Sequence, residues 1–494
     1  MSDNAKATPT EPRKLKDVQQ WDYETDIAIV GFGGAGACAA IEAHDNGAKV
    51  MIFEVASESG GSTKLSSAEI YMGGNGGTPV QKACGFHDET EDMIQYLMMS
   101  GGPQADEAKV RLYCENSTEH YDWLVKQGAK YKNSFHKERA IMCLTDDCLL
   151  YTGSEKAWPF VEKAKPCPRG HNLEVEGDNG GPFLVGILTE QVEKRGIDVH
   201  YETRALTLIA DENNEVHGLV IRENMQERTV KARKGVILCA GGFVMNEAMV
   251  EKYAPNLKKA TVQIGNPGDT GTGILMGMGV GGAAINMHEG FVSLPFYPPA
   301  DMTKSILVNS QGQRFINEDS YHGRVGYHLL QQLGDRVYMI FTATDDFKPP
   351  MFLFADICGT GETIEELEEE LGLPEGMLKQ TVDYYNKHAE KGNDPLFHKS
   401  AEYLEPLQPP YAALDCTPGR GAFFPYFTLG GLDTLPSGEV LTPEGKPIKG
   451  LFAAGRTACG IPRTGAGYSS GMSVGDATFF GRQAGKQAAN AEPH

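Results

Sequence analysis

The sequence predicts an α/β fold, a parallel sheet flanked by helices, with a smaller α+β domain inserted before the sheet is completed. Three observations predict it. A hydrophobic strand, a glycine turn, a helix and a second strand follow one another between residues 26 and 54. Glycine-punctuated strands recur between residues 197 and 242, and again after Tyr426. From about Met287 to Pro409 the texture changes to more aromatics, prolines and charges. At 494 residues the chain is long for a single core, so a second or inserted domain is expected.

In chain order, residues 1–21 read as a flexible or draped tail. Residues 26–30 (DIAIV) read as a buried strand, 31–36 as a turn, 37–46 as a helix and 49–54 (KVMIFE) as a second strand, a βαβ unit. Residues 88–129 read as two helices, with Met93, Tyr96, Leu97, Leu112, Tyr121 and Leu124 at helical spacing. A helix from Gly180 to about Lys194 precedes strands at 197–203, 216–222 and 235–239. The acidic stretch 363–371 reads as a helix with Ile364, Leu367 and Leu371 inward and its glutamates in water. The chain ends in an Ala/Gly-rich helix. The implied domains are a tail (1–21), a nucleotide-binding part in two pieces (22–286 and 411–494) and a cap between them (287–410).

Composition narrows the function. The 59 glycines follow no period, which excludes a collagen-like repeat and favours tight turns and close backbone–ligand approaches. A dispersed net charge of −21 disfavours nucleic acid and anionic membranes as partners. The start, MSDNAKATPTEPRKLKD, lacks the apolar core of a secretory signal, and the apolar run 273–285 is too short to span a bilayer, so a buried helix is expected there. Ten scattered cysteines without C-x-x-C fit free thiols in a reducing cytoplasm. No ligand cluster suggests zinc, and no metal is expected.

The motif Gly31-Phe32-Gly33-Gly34-Ala35-Gly36 stands directly between a strand and a helix. Its glycines permit a tight turn and let the backbone approach a pyrophosphate, which the helix N-terminus attracts with unpaired N–H groups. Glu54, about twenty residues on, ends the second strand where a carboxylate can accept hydrogen bonds from a ribose. Together these predict dinucleotide binding on a Rossmann-like domain.

After Glu54 comes a glycine–hydroxyl stretch, Ser59-Gly60-Gly61-Ser62-Thr63-Lys64-Leu65-Ser66-Ser67. It resembles the second phosphate-and-flavin loop of the fumarate reductase and succinate dehydrogenase flavoprotein superfamily. Ala240-Gly241-Gly242, the run from Asn266 through Asp269 to Gly273, and Gly450 to Gly455 match the same superfamily. The resemblance implies FAD, bound non-covalently because the second loop holds no histidine to tether it. It also implies Ala205, Met472 and Ser473 among the flavin contacts. Arg456 departs from the pattern, since the superfamily usually has glutamate there, and it is not counted as a contact.

Three further segments indicate a branch. The stretch Arg314-Phe315-Ile316-Asn317-Glu318 resembles the superfamily's cap segment and leads to Tyr321 and His322. Dicarboxylate reductases hold a substrate carboxylate with the histidine of a His-Thr-x-Gly-Gly motif; here that position is Phe427, ahead of Thr428, Gly430 and Gly431. Phenylalanine lines an apolar pocket instead, and Phe291, Phe296, Tyr297 and Phe352 are expected to line it too. The stretch Gly467-Tyr468-Ser469-Ser470-Gly471, taken with Tyr321, resembles the flavin-dependent 3-ketosteroid dehydrogenases, on the 4-(5α) side by its spacing. That resemblance implies a steroid substrate and an external electron acceptor. It gives Tyr468 and the Gly471 N–H the ketone, and Tyr321 the proton, with Ser470 joining Tyr321 in a hydroxyl relay.

The chemistry fits these residue types. Desaturating a bond beside a ketone requires the α-hydrogen to leave as a proton and the β-hydrogen as hydride. Donors are needed where negative charge develops on the ketone oxygen, and a base within reach of the α-proton. Other readings stay open: a 3-ketosteroid 1-dehydrogenase, a fumarate-reductase-like enoate reductase, and a flavoprotein electron carrier without catalysis. The formal G-x-S-x-G match at 467–471 would make a serine hydrolase only with a preceding strand and a later histidine and acid. Ser469 itself is expected to cap the final helix.

Overall fold

The computed structural model describes residues 7–139, 143–294, 300–344, 353, 355–420 and 422–494. Strand Tyr23–Val30 lies at the centre of a nine-stranded sheet. Its five residues Asp26 to Val30 are apolar after the first, and Ile27, Ala28 and Ile29 are fully buried, as a strand covered on both faces requires. It runs parallel to Val50–Phe53 on one side and to Gln226–Leu238 on the other.

The strand Gln226–Leu238 has two partners on its far side. Its first half pairs antiparallel with Val216–Glu223, and its last three residues pair parallel with Pro447–Ala453 from the end of the chain. The change falls at a register shift between Ala232 and Gly235. Gly235 has φ +143°, and a Cβ there would stand 2.8 Å from the Gly450 carbonyl oxygen, so the junction requires glycine. Helix Gly34–Asp45 and the final helix Met472–Asn490 pack on one face, backbone against backbone. A Cβ on Gly481 or Gly485 would come within 2.5 Å and 2.2 Å of the Ala35 and Ala39 carbonyl oxygens. The Ala/Gly composition of that last helix is therefore a packing requirement.

A second, four-stranded antiparallel sheet is formed by Ile306–Asn309, Val337–Thr342, Tyr411–Asp415 and Ile357–Gly361. The strand latest in the chain, Tyr411–Asp415, falls just past residue 410. Arg314 anchors this region: its buried guanidinium donates to Glu318 (2.8 and 3.1 Å) and to Asp394 (3.0 Å twice). The clamp fixes the segment that ends in Tyr321, the N-cap residue of helix His322–Leu330.

Some sequence expectations change and others hold. Residues 7–21 are docked: Arg13–Lys14 extends the sheet by pairing with Ile209–Ala210, and the Thr10 N–H donates to the Leu275 carbonyl. An open sheet edge is thereby covered. Residues 88–129 form three helices, because Gly102 (φ +56°) ends the first and Asp106 caps the next. In helix Ile364–Glu370, Glu368 faces inward and accepts the Gly376, Leu378 and Lys379 N–H groups of the following helix start. The run 273–285 holds the buried helix Thr272–Gly279, and among the described residues no helix is long and apolar enough to cross a membrane. All ten cysteines are free.

One buried acid in the final helix yields a pH test. Asp476 accepts the Ile461 N–H at 2.7 Å, and burial pushes its carboxyl up to about 6. In the unfolded chain it releases its proton near 4. Its folded-state proton is therefore lost as pH rises through about 6, and stability falls over that interval. Asp476→Asn does not titrate, so on going from pH 4 to pH 8 it should gain roughly 2–3 kcal/mol relative to wild type, read from urea unfolding at both values. A gap that does not change with pH would refute this.

Candidate active site

A cavity of about 420 Å³ opens along the carboxyl ends of Tyr23–Val30 and Val50–Phe53 and runs to the start of the final helix. At one end is the glycine turn. Gly31 has φ +101°, and a Cβ there would meet the Cys239 carbonyl oxygen at 2.3 Å. Gly33, Gly34 and Ala35 form the cavity wall at the helix start, where the N-cap is glycine, the first turn holds no acid, and Thr63 Oγ1 accepts the Gly34 N–H at 3.1 Å. Gly36 lies behind the wall, and its missing Cβ admits the Gly31 carbonyl at 2.0 Å. Glu54 reaches the wall with its carboxylate fixed by the Phe32 and Ala56 N–H groups at 2.7 and 2.8 Å.

The middle of the cavity joins the second loop to later segments. Gly61, Ser62, Thr63, Ser66 and Ser67 line it, with Ala205, Ala240 and Gly241 opposite. Ser62 donates to Asp269 at 2.5 Å, and Gly241 leaves room for that carboxylate, which a Cβ would strike at 2.0 Å. Burial raises the Asp269 carboxyl. This cradle of glycines, hydroxyls and a helix N-terminus, with a fixed carboxylate at its far end, fits a dinucleotide.

At the other end the two tyrosines meet. The Tyr321 hydroxyl and Ser470 Oγ are 2.6 Å apart. Tyr321 is held from behind by its own N–H, which donates to Ser154 Oγ at 3.0 Å, while Thr152 clamps the Ser470 backbone. Burial raises the Tyr321 phenol well above its usual value, the neighbouring Tyr468 adds to this, and Ser470 opposes it. Tyr468 donates to Ser473 Oγ at 2.9 Å. Gly471, in a left-handed conformation (φ +92°), is the N-cap of the final helix and lines the cavity beside Tyr468. A Cβ there would stand 2.7 Å from the Tyr71 backbone nitrogen. Phe291 and Phe427 are stacked 4.7 Å apart and box in the Tyr468 ring, at 4.9 and 5.5 Å.

Comparison with known proteins places this arrangement. A family model described as "FAD binding domain" matches residues 26–471. The 3-ketosteroid-Δ4-(5α)-dehydrogenase of Rhodococcus jostii RHA1, solved in complex with 4-androstene-3,17-dione, is 41% identical, with TM-score 0.91 over 97% of this chain and 100% of that one. This chain belongs to the flavin-dependent 3-ketosteroid dehydrogenases of that FAD-binding family. It is also 25% identical to the 3-oxo-5-alpha-steroid 4-dehydrogenase of Comamonas testosteroni, over 89% of this chain and 94% of that protein. An NADH:fumarate oxidoreductase of Klebsiella pneumoniae (strain 342) is 29% identical over 94% of this chain, but the chain spans only about half (47%) of its length.

The cofactor of this dehydrogenase family member is FAD. Acid precipitation of the purified holoprotein should leave FAD in the supernatant, since the loop from Ser59 to Ser67 holds no tethering histidine. Flavin remaining in the pellet would overturn non-covalent binding.

Three expected flavin contacts, Gly36, Gly242 and Met472, lie off the cavity wall. A Cβ on Gly242 would strike Arg456 Cδ at 2.6 Å, so its smallness makes room for that side chain. Met472 turns its sulfur toward the Ser469 N–H, away from the cavity. Ser473 and Gly455 do line it. Ser469 caps nothing: its Oγ is buried 2.7 Å from the Tyr96 hydroxyl, and no strand precedes it, which removes the hydrolase reading. Phe296, Tyr297 and Phe352 lie outside the described residues.

Other wall residues escaped the sequence reading. Arg456 donates to the Thr428 carbonyl at 2.6 Å and to Ser473 at 2.8 Å, with its guanidinium 4.3 Å over the Phe427 ring. Glu69 is buried with its Oε1 lacking a partner among the described residues, and burial raises its carboxyl well above the usual range. His322 is kept neutral, pushed down to about 3 by burial. The one available signal for Glu69 was an acid directly following a hydroxyl-rich loop.

Proposed function

We propose that this chain desaturates a saturated 3-ketosteroid, forming the C4–C5 double bond of a 5α-3-ketosteroid. The observation that carries the reading is the Tyr321–Ser470 pair at 2.6 Å, in the same aromatic-walled cavity as Tyr468 and the Gly471 helix start. The Rhodococcus relative supports the same choice.

FAD, when bound, supplies the two-electron acceptor for the hydride from the β-carbon. The chain's own residues do the rest. Tyr468 and the Gly471 N–H hold the ketone oxygen, and the positive end of the final helix adds to their effect as charge develops there. Removing a proton beside that ketone yields an enolate-like electron pair, which the two donors stabilise. The Ser470–Tyr321 pair accepts the α-proton. Because burial raises the Tyr321 phenol, no tyrosinate stands ready in advance; the proton enters the pair as the C–H bond breaks and is handed onward from it. Phe291 and Phe427 exclude water and match an apolar ring system. Glycines 31, 33, 34 and 241, with Glu54, Ser62 and Asp269, would hold the dinucleotide, and an external acceptor reoxidises the enzyme.

Incubation with a 5α-reduced 3-ketosteroid and an artificial electron acceptor should give a 4-ene-3-ketone, identified by NMR. Conversion of a 4-ene-3-ketone to a 1,4-diene would establish the 1-dehydrogenase activity instead. A second reading, reduction of an unsaturated acid, is favoured by one observation: Arg456 puts a cation in the cavity wall beside Phe427. Both of its terminal nitrogens are engaged, which supports the ketone reading. Turnover of fumarate at a rate comparable to steroid would decide for the acid.

A further inference from the structure

Arg456 stands where the wider superfamily usually has glutamate, so no role carries over to it. Its position is nevertheless built. It follows strand Pro447–Ala453 in the turn Gly455–Thr457, it needs the absence of a side chain at Gly242, and it is pinned by the Thr428 carbonyl and the Phe427 ring. Among the described residues no carboxylate forms an ion pair with it. Its other terminal nitrogen donates to Ser473 Oγ at 2.8 Å, and the same oxygen is 2.9 Å from the Tyr468 hydroxyl. A full positive charge thus sits two hydrogen bonds from the phenol.

We propose that Arg456 is a positioning residue that acts through Ser473 to make Tyr468 a stronger donor to the ketone oxygen. This rests on the ketosteroid reading above. A guanidinium can only donate, so it occupies a lone pair of Ser473 and never competes for that hydroxyl's hydrogen. In the resting site Tyr468 donates to Ser473. When a ketone accepts the Tyr468 hydrogen bond instead, the Ser473 hydroxyl can turn and donate to the phenol oxygen. Donation then runs one way, from Arg456 to Ser473 to Tyr468 to the ketone. Each bond polarises the next, and the charge at the far end opposes the negative charge growing on the substrate oxygen. The Tyr468 phenol carries the same signature: burial raises it, and Arg456 is the largest influence pulling it back.

The test uses the FAD-loaded enzyme and a stable enolate mimic, a 2-fluorinated steroid with a phenolic A ring. The ¹⁹F shift of the bound phenol reports its ionisation against pH. Arg456→Met should move that midpoint upward and cut the preference for the phenolate on the order of tenfold to a hundredfold, as for a unit charge removed a few ångströms away in partly screened surroundings. Arg456→Lys should recover part of the effect. Ser473→Ala should match Arg456→Met, and the double variant should add little to either, because both break one chain. With steroid substrate, kcat should fall by a similar factor while KM changes little. Flavin absorbance checks that FAD stays bound.

An unchanged phenol midpoint in both single variants overturns the proposal, as does a fully additive double variant. Loss of FAD from Arg456→Met, with Ser473→Ala leaving the midpoint unmoved, makes Arg456 a cofactor ligand and overturns it too. A wild-type enzyme that neither desaturates the ketosteroid nor binds the phenol fails at the functional reading itself, and the proposal falls with it.

Discussion

Ser470→Ala and Tyr321→Phe should each lower turnover of a 3-ketosteroid by about 10²–10⁴ while FAD remains bound. Each change removes one hydroxyl and little volume, so the fold should survive. The two hydroxyls are 2.6 Å apart and act as one unit, so the double variant should be little worse than the worse single one. Ser469→Ala is the internal control. Its hydroxyl faces Tyr96, away from the cavity, so turnover should change little. The cost should appear in stability instead, roughly 1–3 kcal/mol for the buried partner left unpaired. A severe Ser469→Ala beside a silent Ser470→Ala would mean that the proton leaves by another route.

Tyr468→Phe removes a donor at the oxygen where charge develops, and kcat should drop by about 10²–10³. The ring itself should stay in place, because Phe291 and Phe427 pack on it and Phe keeps that surface. Saturated-ketone binding should therefore weaken far less than kcat. Stopped-flow flavin reduction under anaerobic conditions isolates the step. If the rate of flavin bleaching is unchanged and only steady-state turnover falls, Tyr468 serves product release and not desaturation.

How much of this was legible in the sequence follows from how local each feature is. The dinucleotide cradle was readable because Gly31 to Gly36 and Glu54 lie within one βαβ unit, where spacing in the chain maps directly onto spacing in the fold. Tyr321, Tyr468, Ser470 and Gly471 were readable only through resemblance: nothing in either segment announces that a cap tyrosine meets a serine 149 residues away. Arg456 was set aside because it broke a pattern, yet its role depends on Gly242, Phe427 and Ser473, three residues from three separate segments. Gly242 shows the same limit, since a glycine that makes room for a ligand and one that makes room for an arginine look alike in one dimension. Glu368 turned inward because the following helix start offered three backbone N–H groups, a demand that hydrophobic periodicity does not register.

The late arrival of strand Pro447–Ala453 beside Leu238 has a consequence during synthesis. More than two hundred residues separate the partners, and everything between them, including the four-stranded sheet, must leave the ribosome first. Until then the upper half of Gln226–Leu238 presents an unpaired hydrophobic edge, with Val236, Ile237 and Leu238 open to any passing strand. Helix Gly34–Asp45 likewise waits for Met472–Asn490 to cover its alanine face. A nascent chain of this enzyme therefore emerges with its cofactor turn already encoded but its sheet unsealed, and chaperone supply during translation should govern the yield of active protein more than the stability of the finished fold does.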